Sequence, residues 1–83
     1  MQLFKSKYEK ELDEIIIRLE MNCSNNYKDA AQDNLRQLEK TFEEFNEKSY
    51  LKEKKQNYYK QLIESYQEKM KGYTHKDQKP FWT

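Results

Sequence analysis

Two side chains in this sequence belong to types that often act in catalysis: its one histidine, His75, and its one cysteine, Cys23. Histidine can serve as a general base near neutral pH, and a cysteine thiolate can act as a nucleophile. Each role needs a second group that activates the first. His75 lies in a polar stretch, and Cys23 has no histidine near it in the sequence and ends an apolar stripe. We therefore predict that the protein is not an enzyme.

Acidic side chains form two small clusters, one of Asp29 and Asp33 and one of Glu43, Glu44 and Glu47. A di-metal site in a helical bundle needs Glu-x-x-His pairs, and neither such a pair nor a calcium-loop spacing nor a glycine-rich phosphate loop occurs. The clusters are typical of solvated helix faces. We expect no metal, no cofactor and no small-molecule substrate.

Charge is distributed unevenly along the chain. Residues 1–47 carry a net charge of −4, and residues 48–83 carry +5. The basic part includes Lys48, Lys52, Lys54, Lys55, Lys60, Lys69 and Lys71, with Tyr58 and Tyr59 among them. Such a pattern could support contacts with a nucleic-acid backbone and stacking on bases. This is the alternative function that the sequence offers.

Three features weaken the nucleic-acid interpretation. All cations of the basic part are lysines, whereas arginine is the residue preferred for base and phosphate recognition. The net charge of the whole chain is only +1. The tyrosines also fall on a stripe that is expected to be buried. Pairing between a basic third helix and acidic neighbours explains the distribution better.

The composition predicts an all-α protein. The chain has one glycine, one proline and no valine, and it is rich in residues that lose little side-chain freedom in a helix. Disorder is the alternative, because 37% of the residues are charged. The near-neutral net charge and the aromatic content of 14% favour a folded domain.

Three stretches repeat apolar residues at helical spacing. Those of the first share about a third of the helix circumference and are Phe4, Tyr8, Leu12, Ile15, Ile16, Leu19 and Cys23. Those of the second alternate at spacings of four and three and are Ala31, Leu35, Leu38, Phe42 and Phe45. Those of the third are Leu51, Tyr58, Tyr59, Leu62, Ile63, Tyr66, Met70 and Tyr73. The narrow second seam predicts that the middle helix lies between the other two.

Two connections separate these stretches. The run from Ser24 to Asn26 predicts a turn with Asn26 as the cap of the second helix. The second turn, at 48–51, is inferred because the stripe restarts out of phase at Leu51, with Ser49 as an acceptable cap. A continuous helix of about 45 residues in a swapped dimer is the alternative. Gly72 is predicted to end the third helix in a left-handed conformation.

Together these patterns predict one domain, an antiparallel up-down-up three-helix bundle over residues 1–73, with helices at about 3–23, 27–48 and 51–71. Residues 74–83 are predicted to form an extended tail, because Pro80 excludes a continued helix. The tail carries Phe81 and Trp82. This aromatic pair could fold back over its own bundle, cover a neighbouring subunit or serve as a docking motif.

Two apolar residues of the first helix fall outside its stripe. Ile17 and Met21 are four residues apart, so they are stacked on the opposite side of the helix. Scattered exposed apolar residues are ordinary, and a contact ridge for a partner is the functional interpretation. We predict a protein–protein interaction or self-association module, a homodimer or a complex with another protein, in which Ile17, Met21, Phe81 and Trp82 are the candidate contacts.

The expected compartment is the cytoplasm. No apolar run follows the first charge, so no signal peptide is predicted. The longest apolar run is Ile15 to Ile17, far below the roughly 20 residues of a membrane span, so no membrane association is expected. One cysteine cannot form a disulfide within the chain.

Overall fold

The computed structural model describes residues 6–73, with residues 72 and 73 described by their backbone only. It contains the helices α1 (Lys7–Ser24), α2 (Lys28–Glu47) and α3 (Glu53–Lys69), and a 3-10 turn at Met70–Tyr73 extends α3. α2 packs against both α1 and α3. The predicted all-α three-helix bundle is therefore confirmed, and the two connections exclude one continuous helix.

Side-chain contacts between α1 and α3 show how these two helices run. The Tyr59 hydroxyl donates to a carboxylate oxygen of Asp13, and the Tyr66 hydroxyl donates to one of Glu20. Both pairs are separated by 46 residues in the chain. A separation that stays constant along the helices requires them to be parallel, so α2 runs antiparallel to both and the order is up-down-up.

The hydrophobic core runs the length of the bundle. Its buried members are Leu12, Ile15, Leu19, Cys23, Ala31, Leu38, Phe45, Leu51, Tyr59, Ile63, Tyr66 and Met70. On α2 the buried positions recur every seven residues, at Ala31, Leu38 and Phe45, with Leu35 and Phe42 half-buried beside them. This narrow stripe on α2 is the one expected of a helix with a neighbour on each side.

The start of α1 is fixed by a side-chain cap. Ser6 has an extended backbone, and its hydroxyl accepts a hydrogen bond of 3.2 Å from the N–H of Glu9. This contact satisfies one of the free donors at the helix start. α1 therefore begins at Lys7, later than the sequence prediction of about residue 3, and residues 1–5 lie outside the described part.

α1 ends in a Schellman motif. Asn26 has a left-handed backbone with φ 61°. Its N–H donates to the carbonyl of Cys23, and the N–H of Tyr27 donates to that of Asn22. These two bonds satisfy carbonyls that the helix leaves free. Asn26 thus terminates α1, whereas the sequence prediction made it the cap of the next helix.

The same motif ends α2, with Ser49 at φ 59°. The N–H of Ser49 donates to the carbonyl of Asn46, and that of Tyr50 donates to Phe45. The Phe45 and Tyr50 rings lie 5.7 Å apart, which supplies the apolar contact typical of the motif. Tyr8 of α1 stacks on Tyr50 with ring centroids 4.0 Å apart. No described glycine has a positive φ, so the left-handed end predicted at Gly72 is not observed.

Replacing Ser49 with glycine is expected to stabilise the protein by about 0.5–1 kcal/mol. A left-handed residue with a Cβ atom costs about 1–2 kcal/mol, and part of this gain is offset by the greater freedom of glycine in the unfolded chain. Urea denaturation followed by circular dichroism measures the change. Asn26→Gly is the matched control and should gain less, because asparagine tolerates this conformation. A destabilised Ser49→Gly variant would contradict the role given to this turn.

Candidate interaction surfaces

The seam between α1 and α3 is bridged by long side chains. Cα atoms of these two helices stay more than 8 Å apart throughout the described residues, in contrast to α1 and α2. The Tyr59 hydroxyl reaches Asp13 at 2.8 Å, and the Tyr66 hydroxyl reaches Glu20 at 2.5 Å. Both tyrosine rings are buried in the core. The sequence prediction placed these rings on the core stripe but did not foresee their polar partners on α1.

Burial and these contacts change the acidity of the two phenols. Desolvation by burial raises the pKa of Tyr59 above its usual range, and the hydrogen bond to Asp13 and the negative charge of that carboxylate raise it further. The pKa of Tyr66 is raised by burial and then by its hydrogen bond to Glu20. Both hydroxyls are therefore fixed as neutral donors at physiological pH.

Ile17 and Met21 lie outside the core on α1. Their side chains are 56% and 58% exposed, respectively. They line a shallow depression of about 450 Å³ together with Glu20, Ser24 and Asn25. Glu20 also accepts the bond from α3, so the depression borders the seam between α1 and α3.

The third helix also carries apolar side chains that are exposed or half-buried. Tyr58 is 55% exposed, and Leu62 is half-buried against the core. Residues of α3 lie opposite the residues of α1 that are 46 positions earlier in the chain. Leu62 is therefore at the height of Ile16, next to Ile17. Ile17, Met21, Tyr58 and Leu62 together are called the outer apolar patch below. The sequence stripe had placed Tyr58 in the core, but adjacent residues are about 100° apart on a helix and Tyr59 occupies that position.

An open groove of about 580 Å³ lies on the surface between the packed helices α2 and α3. Phe42 and Ile63 supply its apolar lining. Its polar lining consists of Glu39, Glu43, Asn46, Glu47, Lys60, Glu64 and Gln67. The carboxamide oxygen of Asn46 is buried and has no hydrogen-bond partner. The groove thus has acidic edges and an apolar base, and its buried Asn46 oxygen lacks a hydrogen-bond donor.

The groove continues towards the end of α3. A second depression of about 280 Å³ shares Glu39 and Gln67 with the first, and its other lining residues are Gln32, Leu35, Arg36, Met70 and Lys71. The acidic character is therefore confined to the upper part, lined by Glu39, Glu43, Glu47 and Glu64. The side-chain amide of Gln67 donates to Glu39 at 2.6 Å across the two helices. This hydrogen bond crosses between the two depressions, which together form a two-part groove along α2 and α3. We call it the α2–α3 groove.

Several lysines of the basic part make contacts within the protein. Lys55 lies 3.8 Å from Glu9 of α1 and 5.8 Å from the centroid of the Tyr58 ring. Lys48 and Lys71 pair with carboxylates on their own segments. These contacts agree with internal pairing, although just the first joins two helices. Tyr59 is buried and cannot stack on a base.

Of the two side chains singled out for chemistry, the structure describes only Cys23. Cys23 is buried in the core. Within residues 6–73, no three histidine, cysteine, aspartate or glutamate side chains are grouped as metal ligands would be. None of the helices in this part of the chain combines the length and the apolar character that crossing a bilayer requires. His75, Phe81 and Trp82 lie outside the described residues.

Comparison of the chain with family models, with curated proteins and with solved structures finds no match.

Proposed function

We propose that this protein is a non-catalytic, cytoplasmic interaction module that self-associates as a dimer through the outer apolar patch. The observation that carries the proposal is the exposure of Ile17 and Met21, four residues apart on the outer face of α1. A twofold dimer places the same patch of both copies in one interface, so a self-complementary apolar surface is sufficient to form it.

The size of the patch sets the expected strength. Complete burial of a large apolar side chain contributes about 1.5–3 kcal/mol, and association costs at least about 4 kcal/mol in lost freedom of motion. Four partly exposed side chains in each copy therefore support weak association. We expect a dissociation constant on the order of micromolar, which corresponds to about −8 kcal/mol.

The absence of catalysis is supported by the state of the titratable groups. The one cysteine is buried among apolar side chains. Among the described residues, Tyr59 and Tyr66 have clearly displaced pKa values, and burial raises both, away from the range in which these groups could exchange protons near pH 7. Their hydroxyls are already bonded to carboxylates on α1.

Replacing Ile17 and Met21 together with glutamate is expected to weaken the dimer at least 100-fold. The variant loses two apolar contacts per copy and places like charges against each other in the interface. Glutamate has a high helix propensity, so the bundle itself should remain folded. Light scattering coupled to size exclusion, at tens of micromolar protein, measures the change in mass.

Lys40→Glu is the matched control, because it changes the charge by the same two units on an exposed position of α2. It should leave the dimer intact. A wild-type protein that is strictly monomeric at tens of micromolar would refute self-association. A double variant that remains as dimeric as the control would place the interface elsewhere.

A nucleic-acid-associated protein is the second candidate, and the exposed ring of Tyr58 beneath Lys55 is the observation that favours it. Lysines on phosphates would make binding weaken steeply between low and moderate salt. A mobility-shift assay with single- and double-stranded nucleic acid separates the two candidates, since the interaction module predicts no shift even at low salt.

A further inference from the structure

The described chain ends beside the opening of the α2–α3 groove. Met70 and Lys71 line the lower part of that groove, and the 3-10 turn Met70–Tyr73 contacts α2. The tail, residues 74–83, follows this turn in the sequence. An occupant with apolar rings, positive charge and a hydrogen-bond donor would complement the upper part of the groove, where Phe42 is half-buried and the Asn46 carboxamide oxygen lacks a donor.

The tail matches the charge of the groove. The upper part of the groove is lined by four glutamates, Glu39, Glu43, Glu47 and Glu64, against the single cation Lys60. The tail carries two lysines and one aspartate in addition to its histidine. Opposite charges at the edges of a groove favour the correct partner and position more than they add to affinity.

The tail also supplies what the base of the groove lacks. The rings of Phe81 and Trp82 are large apolar groups of the kind that fill such a channel. The indole N–H of Trp82 is a donor, and the buried carboxamide oxygen of Asn46 lacks one. A buried acceptor without a partner destabilises a protein, so a hydrogen bond from Trp82 to Asn46 would be favourable.

The length of the tail allows this placement. Ile63 lies eight residues before Lys71 on the same helical segment, a distance of about 12 Å at 1.5 Å per residue. Trp82 follows Tyr73 by nine residues, which span up to about 30 Å when extended. A proline disfavours helical geometry in the residue before it, and Pro80 directly precedes the aromatic pair in the sequence.

We propose that the α2–α3 groove binds the chain's own C-terminal segment, with Phe81 and Trp82 against Phe42 and Ile63. The proposal selects one of the three possibilities given for the tail in the sequence analysis, namely that it folds back over its own bundle. The outer apolar patch lies along α1 and α3 and remains available to a second copy. The inference therefore does not depend on the proposed dimer.

Trp82 is the only tryptophan, so its fluorescence in the full chain reports on this contact directly. We expect a blue-shifted emission that is protected from acrylamide and does not change on dilution from tens of micromolar to well below one micromolar. Reversing two exposed rim charges, Glu43→Lys with Glu47→Lys, should shift the emission to the red and remove much of the protection. Phe42→Ser should have a larger effect.

The matched control is Glu11→Lys with Glu14→Lys, which changes the charge equally on exposed positions of α1 away from the groove. Its emission should equal that of the wild type. The rim variant leaves the core intact, so it remains informative if Phe42→Ser fails to fold by circular dichroism. Emission like that of free indole in the wild-type protein would overturn the proposal.

Two further outcomes would also overturn it. Protection that is lost on dilution would assign the tail to a neighbouring copy. Protection that survives both rim charge reversals unchanged would place Trp82 away from the acidic groove.

Discussion

Replacing Leu38 with alanine is expected to destabilise the bundle by about 2–5 kcal/mol, because it removes a fully buried side chain from the middle of the central helix. Leu38 lies on the α2 stripe that faces both neighbours, so the cavity would open between all three helices. The total stability of a chain of this size is about 4–12 kcal/mol. The variant should therefore lose a large part of it.

Urea denaturation followed by helical circular dichroism measures this loss. Gln37→Ala is the matched control, because Gln37 is the exposed neighbour on the same helix and its replacement should change the free energy of unfolding by less than about 0.5 kcal/mol. A Leu38→Ala variant as stable as this control would contradict the position of α2 between α1 and α3.

The second large effect is expected at alkaline pH. Burial first, and hydrogen bonds to Asp13 and Glu20 second, raise the pKa values of Tyr59 and Tyr66 in the folded state. The folded state thus favours the neutral hydroxyl. The stabilisation from these two groups is complete below their ordinary pKa of about 10 and is lost as the pH rises above it. We expect the wild-type protein to lose stability steeply above pH 10.

The double variant Tyr59→Phe with Tyr66→Phe separates this contribution from others. It should be less stable than wild type by about 2 kcal/mol near pH 7, since each lost bond to a part-exposed carboxylate contributes about 1 kcal/mol. Its stability should fall less between pH 9 and 11 than that of the wild type. Denaturation curves over this range give the comparison.

Tyr27→Phe is the control, because this ring is exposed and its hydroxyl does not contribute to the raised pKa of Tyr59 or Tyr66. It should follow the wild-type pH profile. If the Tyr59 and Tyr66 variant followed that profile as well, the two hydroxyls would not be the groups that titrate.

The three helices and the central position of α2 could be predicted from the spacing of apolar residues. Spacing reports which face of a helix is buried, and the stripe from Ala31 to Phe45 is a narrow apolar seam of the kind found between packed helices. Spacing alone could not show which of Tyr58 and Tyr59 is buried, because both of these adjacent aromatic residues fall near the edge of a broad stripe. The packing of α3 on α1 makes that choice.

The helix ends were harder to predict. Asn26 and Ser49 adopt left-handed backbones that glycine would normally supply, and asparagine and serine equally suit a helix start. The contacts from Tyr59 to Asp13 and from Tyr66 to Glu20 depend on how far α3 is displaced along α1. The two turns together determine that displacement, and local sequence patterns do not report it.

The hydroxyls of Tyr59 and Tyr66 also fix the position of α3 along the axis of α1. A slip of one turn in one direction would bring Tyr59 opposite Ile17, and a slip in the other would bring Tyr66 opposite Ile16. After either shift, one tyrosine hydroxyl would face an isoleucine side chain and lose its hydrogen bond, at a cost of about 1–3 kcal/mol. Contacts between apolar stripes are not directional and tolerate such a shift. The two hydrogen bonds therefore select one alignment of α3 on α1 from several that apolar packing alone would allow.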